Sequence, residues 1–274
     1  MYTLKQTFLW QLFPPNNAPR SFILGTMHVK DARVFVMQHH LIELIREAEL
    51  YAAETNLHDL NGQEDFLTML IPDGRTIKEY YTDKQYSKMQ KVLQKAFGVD
   101  IEQYLRFRPF FISSMVDQAI LSKDMPYSLD ESLWRYADEQ GKEMTGVESY
   151  ADQLNIMNKI PVEVQARQLL SLSKKFSAHR KEILKLTELY VNGDIKQLHR
   201  SARKGMGNLR KMLLWERNYR MADRIDALIR EQSSFCAIGA GHLWGKKGVL
   251  KLLKDKGVKM EPIKWQVDFL DFKE

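Results

Sequence analysis

Two Gly-x-x-His motifs near opposite ends of the chain constrain its fold more than any other feature. The first, GTMH at residues 25–28, ends the apolar run SFILGTMH, and the second, GAGH at residues 239–242, ends SFCAIGAGH. Short apolar runs that stop at glycine are typical of buried β-strands. Turns so distant in the chain can meet only if their strands lie close together in one sheet. We therefore predict that His28 and His242 lie at neighbouring strand ends.

The order of the apolar patterns predicts an α/β (α+β) fold of one domain over residues 1–274. Its central sheet is built from strands of both chain ends, and it carries a large, mostly helical insertion. Residues 1–60 and 232–274 are expected to form most of the sheet. Residues 75–231 are expected to form a mainly helical subdomain that contributes one strand near 143–148. The predicted strands are Thr7–Phe13, Ser21–Met27, Glu49–Thr55, Glu143–Glu148, Ser234–Ala240, Val258–Ile263 and Trp265–Leu270.

Helical periodicity fills most of the chain between these strands. A helix between two strands makes a βαβ unit, which favours parallel pairing; we expect one such unit at each end of the chain. The predicted helices are Val34–Ala48, Asp83–Phe97, Ile101–Leu121 with a break at Pro109, Leu129–Gln140, Pro161–Tyr190, Ile195–Arg203, Asn208–Glu231 and Gly245–Lys256.

Composition narrows the functional classes. With 44% hydrophobic and 28% charged residues, the chain has the balance of a globular protein. No apolar run approaches the roughly 20 residues of a membrane span, and the start lacks the features of a signal peptide. We therefore expect a cytoplasmic protein without a membrane anchor.

Basic residues gather between Lys174 and Lys211, but Glu182, Glu188 and Asp194 interrupt them. This pattern favours a solvated helical face, and no nucleic acid is expected as a partner.

The glycines of the two motifs have a predicted structural role. Gly25, Gly239 and Gly241 are expected to let the backbone turn tightly and to leave room beside each imidazole. Ligand sites of open α/β sheets lie beyond the carboxyl ends of the strands, where His28 and His242 are expected. The alternative for each histidine is a structural role, with the ring hydrogen-bonded to backbone.

Two further predicted strands end in carboxylates, at Glu54 and Glu148. Near two imidazoles, a carboxylate could bind a divalent ion or act as general base on a water molecule. The alternative is a helix-capping contact or a surface ion pair. A mixed set of imidazole and carboxylate ligands suits Zn, Mn, Co or Fe.

The sequence Glu216-Arg217-Asn218 lies within a predicted helix. Arg217 could hold a carboxylate or stabilise an oxyanion, and Asn218 could donate a hydrogen bond. From spacing alone, a network on a solvated helical face is the favoured interpretation. His199 receives no predicted role.

Five segments together resemble the TraB/GumN family of the Tiki-like metalloprotease group: ILGTMHV, AAETN, GVESYADQL, ERN and AIGAGHLWGKKGVLKLLKDKGVKMEPI. The resemblance extends from about Phe8 to Ile263. It implies a divalent-metal site built from the two Gly-x-x-His motifs and acidic residues. The positions that match the family's motifs are Gly25, His28, Glu54, Glu148, Glu216, Arg217, Asn218, Gly239 and His242.

The resemblance implies a metal-dependent hydrolase, most simply a peptidase or amidase that acts on a peptide or small-molecule substrate. His28, His242, Glu54 and Glu148 would bind the ion (Mn, Co or Zn). Glu54, Glu148, Arg217 and Asn218 would take part in catalysis. One alternative is a non-enzymatic protein that binds haem or a peptide in the same crevice. Another is ester hydrolysis by a histidine without metal. The oligomeric state does not follow from the sequence.

Overall fold

The computed structural model describes residues 2–3, 7–15, 18–59, 66–264 and 266–267 of the chain. These residues contain a six-stranded mixed sheet, a two-stranded antiparallel sheet and many helices, which confirms the predicted mixture of α and β structure. The strands are β1 (Tyr2–Thr3), β2 (Leu9–Phe13), β3 (Ser21–Thr26), β4 (Leu50–Thr55), β5 (Glu143–Glu148), β6 (Ser234–Gly239), β7 (Lys259–Pro262) and β8 (Gln266–Val267).

The larger sheet has the strand order β5-β4-β6-β3-β2-β7. Its first four strands pair in parallel, whereas β2 is antiparallel to both β3 and β7. Every residue of β3 is buried, as its continuous apolar run predicted. Strands β3 and β6 are neighbours, with Thr26 opposite Gly239 in the register. The two strands that precede the Gly-x-x-His turns therefore end side by side.

The two strands of each predicted βαβ unit run parallel to each other, but they are not hydrogen-bonded neighbours in the sheet. Strand β6 lies between β3 and β4, and both β3 and β2 lie between β6 and β7. The expectation of parallel pairing within each unit was therefore wrong. Each crossover passes over at least one other strand, because the two chain ends interleave in the sheet. Strand β8 pairs with β1 instead of joining the larger sheet, and the rest of the predicted Trp265–Leu270 strand lies outside the described residues.

The helices occupy most of the remaining described chain. We number them α1 (Gln38–Glu47), α2 (Asp83–Phe97), α3 (Pro109–Ile120), α4 (Leu129–Glu139), α5 (Tyr150–Asn158), α6 (Val162–Lys174), α7 (Phe176–Val191), α8 (Ile195–Gly205), α9 (Glu216–Glu231), α10 (Ala240–Leu243) and α11 (Val249–Asp255). Short 3₁₀ turns lie at Ala32–Phe35, Leu57–Asp59, Pro72–Gly74, Ile77–Tyr80, Ile101–Tyr104 and Gly207–Leu209, and a π-helical segment lies at Lys211–Trp215. None of the described helices has the length and apolar character that a membrane span requires.

Local capping explains the helix bounds. Helix α2 matches its prediction because Thr82 and Gln85 form a capping box at its start and Gly98, at φ 68°, ends it. The predicted helix Val34–Ala48 is divided instead, because the Asp31 carboxylate accepts from the Arg33 backbone N–H and starts a separate 3₁₀ turn.

Three other predicted helices differ from the structure. The predicted helix Asn208–Glu231 is α-helical only from Glu216, because a 3₁₀ turn and a π-helical segment precede it. The tract Pro161–Tyr190 is interrupted at Lys175, which has φ −118° and ψ 31°. The predicted helix Gly245–Lys256 begins only at Val249, since Gly245 has φ 106°. The interruption at Lys175 ends the polar run Ser173-Lys174-Lys175, and the late start at Val249 comes after Gly245-Lys246-Lys247-Gly248, where glycines flank two lysines.

The described structure divides into two compact units. The first comprises Met1–His58, Lys123–Ser149 and Leu186–Glu274 and contains the larger sheet; the second comprises Asp59–Ser122 and Tyr150–Lys185. The second unit has its own apolar core, with Tyr86, Met89 and Leu93 of α2 on one helical face. Segments 123–149 and 186–231 of the predicted insertion thus belong with the sheet, because they supply β5 and the helix α9 that contacts it.

Candidate functional site

The site lies in the first unit, at the carboxyl ends of the four parallel strands. His28 follows β3 by two residues, and His242 follows β6 by three. Glu54 is the second-last residue of β4, and Glu148 is the last residue of β5. Parallel pairing places these ends at one edge of the sheet, which is where ligands of open α/β sheets bind.

The ring of His242 is held by the amide of Asn218 on α9. Nδ1 of His242 lies 2.6 Å from Oδ1 of Asn218, and Nδ2 of Asn218 donates to the carbonyl oxygen of Lys247 at 2.6 Å. The carbonyl accepts only, so Oδ1 of Asn218 faces the imidazole and Nδ1 of His242 carries the proton. The network leaves Nε2 of His242 as an unprotonated nitrogen with a lone pair.

His242 is neutral at physiological pH. Burial lowers the pKa of His242 to about 4, since a charged ring is costly in the interior. The carboxylate of Glu54 opposes this shift, whereas Arg217 and His199 reinforce it. The neutral imidazole with a fixed tautomer is the form that can bind a cation or accept a proton.

His28 has a carboxylate partner, Asp130, in the first turn of α4. Nδ1 of His28 donates to Oδ2 of Asp130 at 2.6 Å, and 64% of the His28 side chain is exposed. Desolvation lowers the pKa of His28, but the hydrogen bond to Asp130 and the charges of Asp130 and Glu54 outweigh it and raise the pKa to about 9. His28 is therefore protonated on both ring nitrogens at neutral pH, and it must release the Nε2 proton before it can bind a metal ion.

Glu54 is the common neighbour of the two imidazoles. Its Oε2 accepts from the backbone N–H of Gly239 at 2.6 Å, and its Oε1 accepts from Nη2 of Arg217 at 2.5 Å. Burial raises the pKa of Glu54, but His242, Arg217, His28 and the Gly239 N–H outweigh it and lower the pKa to about 2. Glu54 is thus an ionised carboxylate whose charge interacts with both imidazoles.

Glu148 is engaged by two arginines of α9. Arg217 donates to its Oε2 from Nε at 2.8 Å, with Nη2 at 2.7 Å from the same oxygen, and Arg220 donates to its Oε1 at 3.2 Å. The side chain of Glu148 is 2% exposed and that of Arg217 is 12% exposed. Arg217 therefore joins Glu54 to Glu148, and the favoured interpretation of a solvated helical face at Arg217 was wrong. The fold turns this face of α9 towards β5.

The glycines of the motifs allow close approach of neighbouring atoms. None of Gly25, Gly239 and Gly241 is among the residues with positive φ, so backbone conformation does not by itself require glycine at these positions. A Cβ on Gly25 would lie 2.5 Å from Leu243 Cδ1 and 3.0 Å from the Ala240 Cα. A Cβ on Gly239 would lie 3.0 Å from Oε2 of Glu54, whereas one on Gly241 would make only an ordinary contact with Ala202. Gly25 and Gly239 therefore allow the two turns and Glu54 to pack together.

The chemistry of these side chains fits a divalent ion. Metal-binding histidines usually donate one ring N–H to a carboxylate or amide and bind the ion through the other nitrogen, as Asp130 and Asn218 allow here. His28, His242 and the ionised Glu54 are the residues that would hold the ion. Within the described ranges, however, no three or more His, Cys, Asp or Glu side chains lie at the spacing of a metal centre. The three side chains would therefore have to rearrange to bind an ion together.

Sequence reasoning missed three residues around this site. Asp130 reads as an ordinary acidic residue in the first turn of a helix, and Arg220 as one of many basic residues in α9. His199 donates from Nδ1 to the carbonyl oxygen of Gly241 at 3.0 Å and so supports the His242 turn from α8. Only the i,i+3 spacing of Arg217 and Arg220 was visible in the sequence as a sign of a shared helical face.

Comparison with known proteins supports the relationship read from the motifs. The sequence model described as the TraB/PrgY/gumN family matches residues 8–262. No solved structure matches the chain significantly.

Three similar proteins carry metalloprotease names. "Metalloprotease TIKI2" of Danio rerio is 25% identical over 93% of this chain and 60% of its own length. "Metalloprotease TIKI homolog" of Nematostella vectensis is 21% identical over 97% of this chain and 69% of its own length. "Metalloprotease TIKI1" of Homo sapiens is 23% identical over 93% of this chain and 61% of its own length. The chain thus spans 60% of the length of the first of these relatives.

Proposed function

Since this chain belongs to the TraB/PrgY/gumN family, we propose that it is a metal-dependent hydrolase that cleaves a peptide or amide bond. The observation that carries the proposal is the fixed tautomer of His242. Asn218 binds its Nδ1, burial keeps the ring neutral, and Nε2 is left with its lone pair beside an ionised carboxylate. The metalloprotease names of the TIKI relatives support a metal cofactor.

In this proposal His28, His242 and Glu54 bind a divalent ion (Mn, Co or Zn). The ion would supply Lewis-acid polarisation of the scissile carbonyl and would lower the pKa of the attacking water. Asp130 and Asn218 orient the two imidazoles through Nδ1. The Gly239 N–H and Arg217 hold the Glu54 carboxylate in one orientation.

Glu148 and Arg217 take a positioning role in the same proposal. Both oxygens of Glu148 accept from guanidinium groups, so we assign Glu148 to holding Arg217. Arg217 in turn links Glu148 to Glu54 and keeps positive charge near the reacting centre, where an anionic intermediate would form. Ligation of the ion by Glu148 stays a prediction of the sequence.

The test combines metal analysis with peptide hydrolysis. The purified chain is stripped with a chelator, reloaded separately with Mn, Co and Zn, and incubated with a peptide library read by mass spectrometry. We expect about one ion per chain and cleavage only after reloading. His28→Ala and His242→Ala should each lose the ion and the cleavage together.

His39→Ala is the matched control, because the His39 side chain is 90% exposed. Its Nδ1 lies 3.7 Å from Oε1 of Glu43, so His39 also has a carboxylate neighbour. It should retain both the ion and the cleavage. Full activity in both His28→Ala and His242→Ala would overturn the proposal. Turnover that survives exhaustive chelation would favour the metal-free esterase, and a haem Soret band without turnover would favour a binding protein. The cytoplasmic location stays a prediction.

A further inference from the structure

A cavity in the first unit is lined by residues that directly follow His242 in the chain. It has a volume of about 560 Å³. Its apolar walls are formed by Trp10 of β2, Met260 of β7, Leu250 of α11, and Leu243 and Trp244 after the second Gly-x-x-His motif. None of the candidate catalytic or metal-binding side chains lines it. Its size is within the range of small-molecule sites.

Lysine side chains surround this apolar cavity. Lys246, Lys251 and Lys254 line it, and Nζ of Lys196 lies 5.4 Å from the ring centroid of Trp244. Lys251 pairs with Asp255 one helical turn away. Across the part of the chain that the structure describes, neither Lys246 nor Lys254 forms an ion pair. The cavity therefore combines an apolar interior with an excess of positive charge.

We propose that this cavity binds a single-chain amphiphile with an anionic head group, namely a free medium- or long-chain carboxylate. The alkyl chain packs against Trp10, Trp244 and Met260, where burial of apolar surface drives binding. The carboxylate lies near the exposed ammonium groups of Lys246 and Lys254, which attract an anionic head group. A cationic amphiphile of the same length would be repelled, and a neutral one would lack this attraction.

The first experiment compares ligands that differ only in their head group. Dodecanoate, dodecan-1-ol and dodecyltrimethylammonium are titrated into the full chain by calorimetry, below their micelle concentrations. We expect saturable one-to-one binding of dodecanoate, binding of the alcohol weaker by about tenfold or more, and no binding of the cation. Absence of saturable dodecanoate binding would overturn the proposal, as would equal affinity for the alcohol.

The second experiment locates the binding. Lys246→Glu combined with Lys254→Glu should weaken dodecanoate binding by about tenfold or more. Lys84→Glu combined with Lys91→Glu is the matched control, because both lysines are exposed on α2 and the change in net charge is the same. Trp244→Ala should weaken the binding of dodecanoate and of dodecan-1-ol by the same factor, because both alkyl chains lose their contact with the Trp244 ring. Equal weakening by the control pair, or unchanged affinity in Trp244→Ala, would place the ligand elsewhere and overturn the assignment.

Discussion

The amide of Asn218 connects His242 to the loop that follows it. Oδ1 of Asn218 lies 2.6 Å from Nδ1 of His242, and Nδ2 donates to the carbonyl oxygen of Lys247 at the same distance. Asn218 is fully buried, so both of its polar ends are satisfied inside the protein. One side chain of α9 thereby fixes the tautomer of the imidazole and the course of the loop together.

Removal of this amide should cost both stability and activity. Asn218→Ala leaves the His242 N–H and the Lys247 carbonyl without their partner, and a buried unsatisfied group costs about 1–3 kcal/mol. We expect a lower free energy of unfolding in urea and at least about tenfold less hydrolysis, because the ring loses its orientation. Asn192→Ala, at an exposed position, should stay within about 0.5 kcal/mol of the parent. Equal stability of the two variants would contradict a role for the Asn218 amide.

The two arginines of α9 that bind Glu148, Arg217 and Arg220, should respond differently to substitution by lysine. Arg217 is 12% exposed and binds two carboxylates, whereas Arg220 is 47% exposed and binds Glu148 alone. In Arg217→Lys, one ammonium group replaces the planar guanidinium and cannot bind Glu54 and Glu148 in the same way. We therefore expect the free energy of unfolding to fall by about 2–4 kcal/mol. Arg220→Lys should lose about 1 kcal/mol or less. Denaturant unfolding of both variants makes the comparison, and a similar loss in each would show that the double contact is not important.

The larger sheet was predictable because its strands are short apolar runs that end in recognisable turns. The bounds of β5 match the prediction, and those of β3, β4 and β6 differ by one residue at one end. The interleaving of β6 between β3 and β4 was not predictable, since local pattern does not specify which strands become neighbours. The break before α1 depends on one capping contact of Asp31, which a periodicity argument does not include.

The site was predictable at the strand ends and not around them. His28, Glu54 and His242 stand in short motifs, and the sheet brings their strands together. Asp130 comes from a helix distant in sequence, and nothing about its first-turn position distinguishes it from an ordinary acidic residue that favours a helix start. The burial of Arg217 depends on how α9 packs against β5, which spacing within the helix cannot show.

Gly245 offers a test of the support behind the His242 turn. It has φ 106°, and a Cβ there would lie 2.6 Å from Nε2 of His199. Gly257 also has positive φ, at 89°, but a Cβ there would meet nothing within 4 Å. Gly257→Ala should therefore introduce only backbone strain and lower the free energy of unfolding by about 1–2 kcal/mol. Gly245→Ala should lower it clearly more, because the clash with His199 adds to the strain. Thermal unfolding of the two variants separates the clash from the strain, and equal losses would show that the His199 ring simply moves aside.

The ion pair of Asp31 and Arg33 predicts a specific dependence of stability on pH. Hydrogen bonds from the Arg33 side chain and backbone lower the pKa of Asp31 from 3.8, against the opposing effect of burial. The folded state therefore binds fewer protons than the unfolded state near pH 4. The ion pair stabilises the fold fully above about pH 5, and this stabilisation is lost as the pH falls through 3.8 to the lower pKa of the folded state.

Asp31→Asn should lower the free energy of unfolding by about 1–2 kcal/mol at neutral pH. The difference in unfolding free energy between Asp31→Asn and the parent should shrink as the pH falls below 3.8. Asp73→Asn, at a carboxylate that is 75% exposed and 3.7 Å from Arg75, should differ little from the parent at any pH. Urea unfolding between about pH 2.5 and 7 checks the prediction, and a constant difference for Asp31→Asn would mean that its carboxylate charge does not contribute.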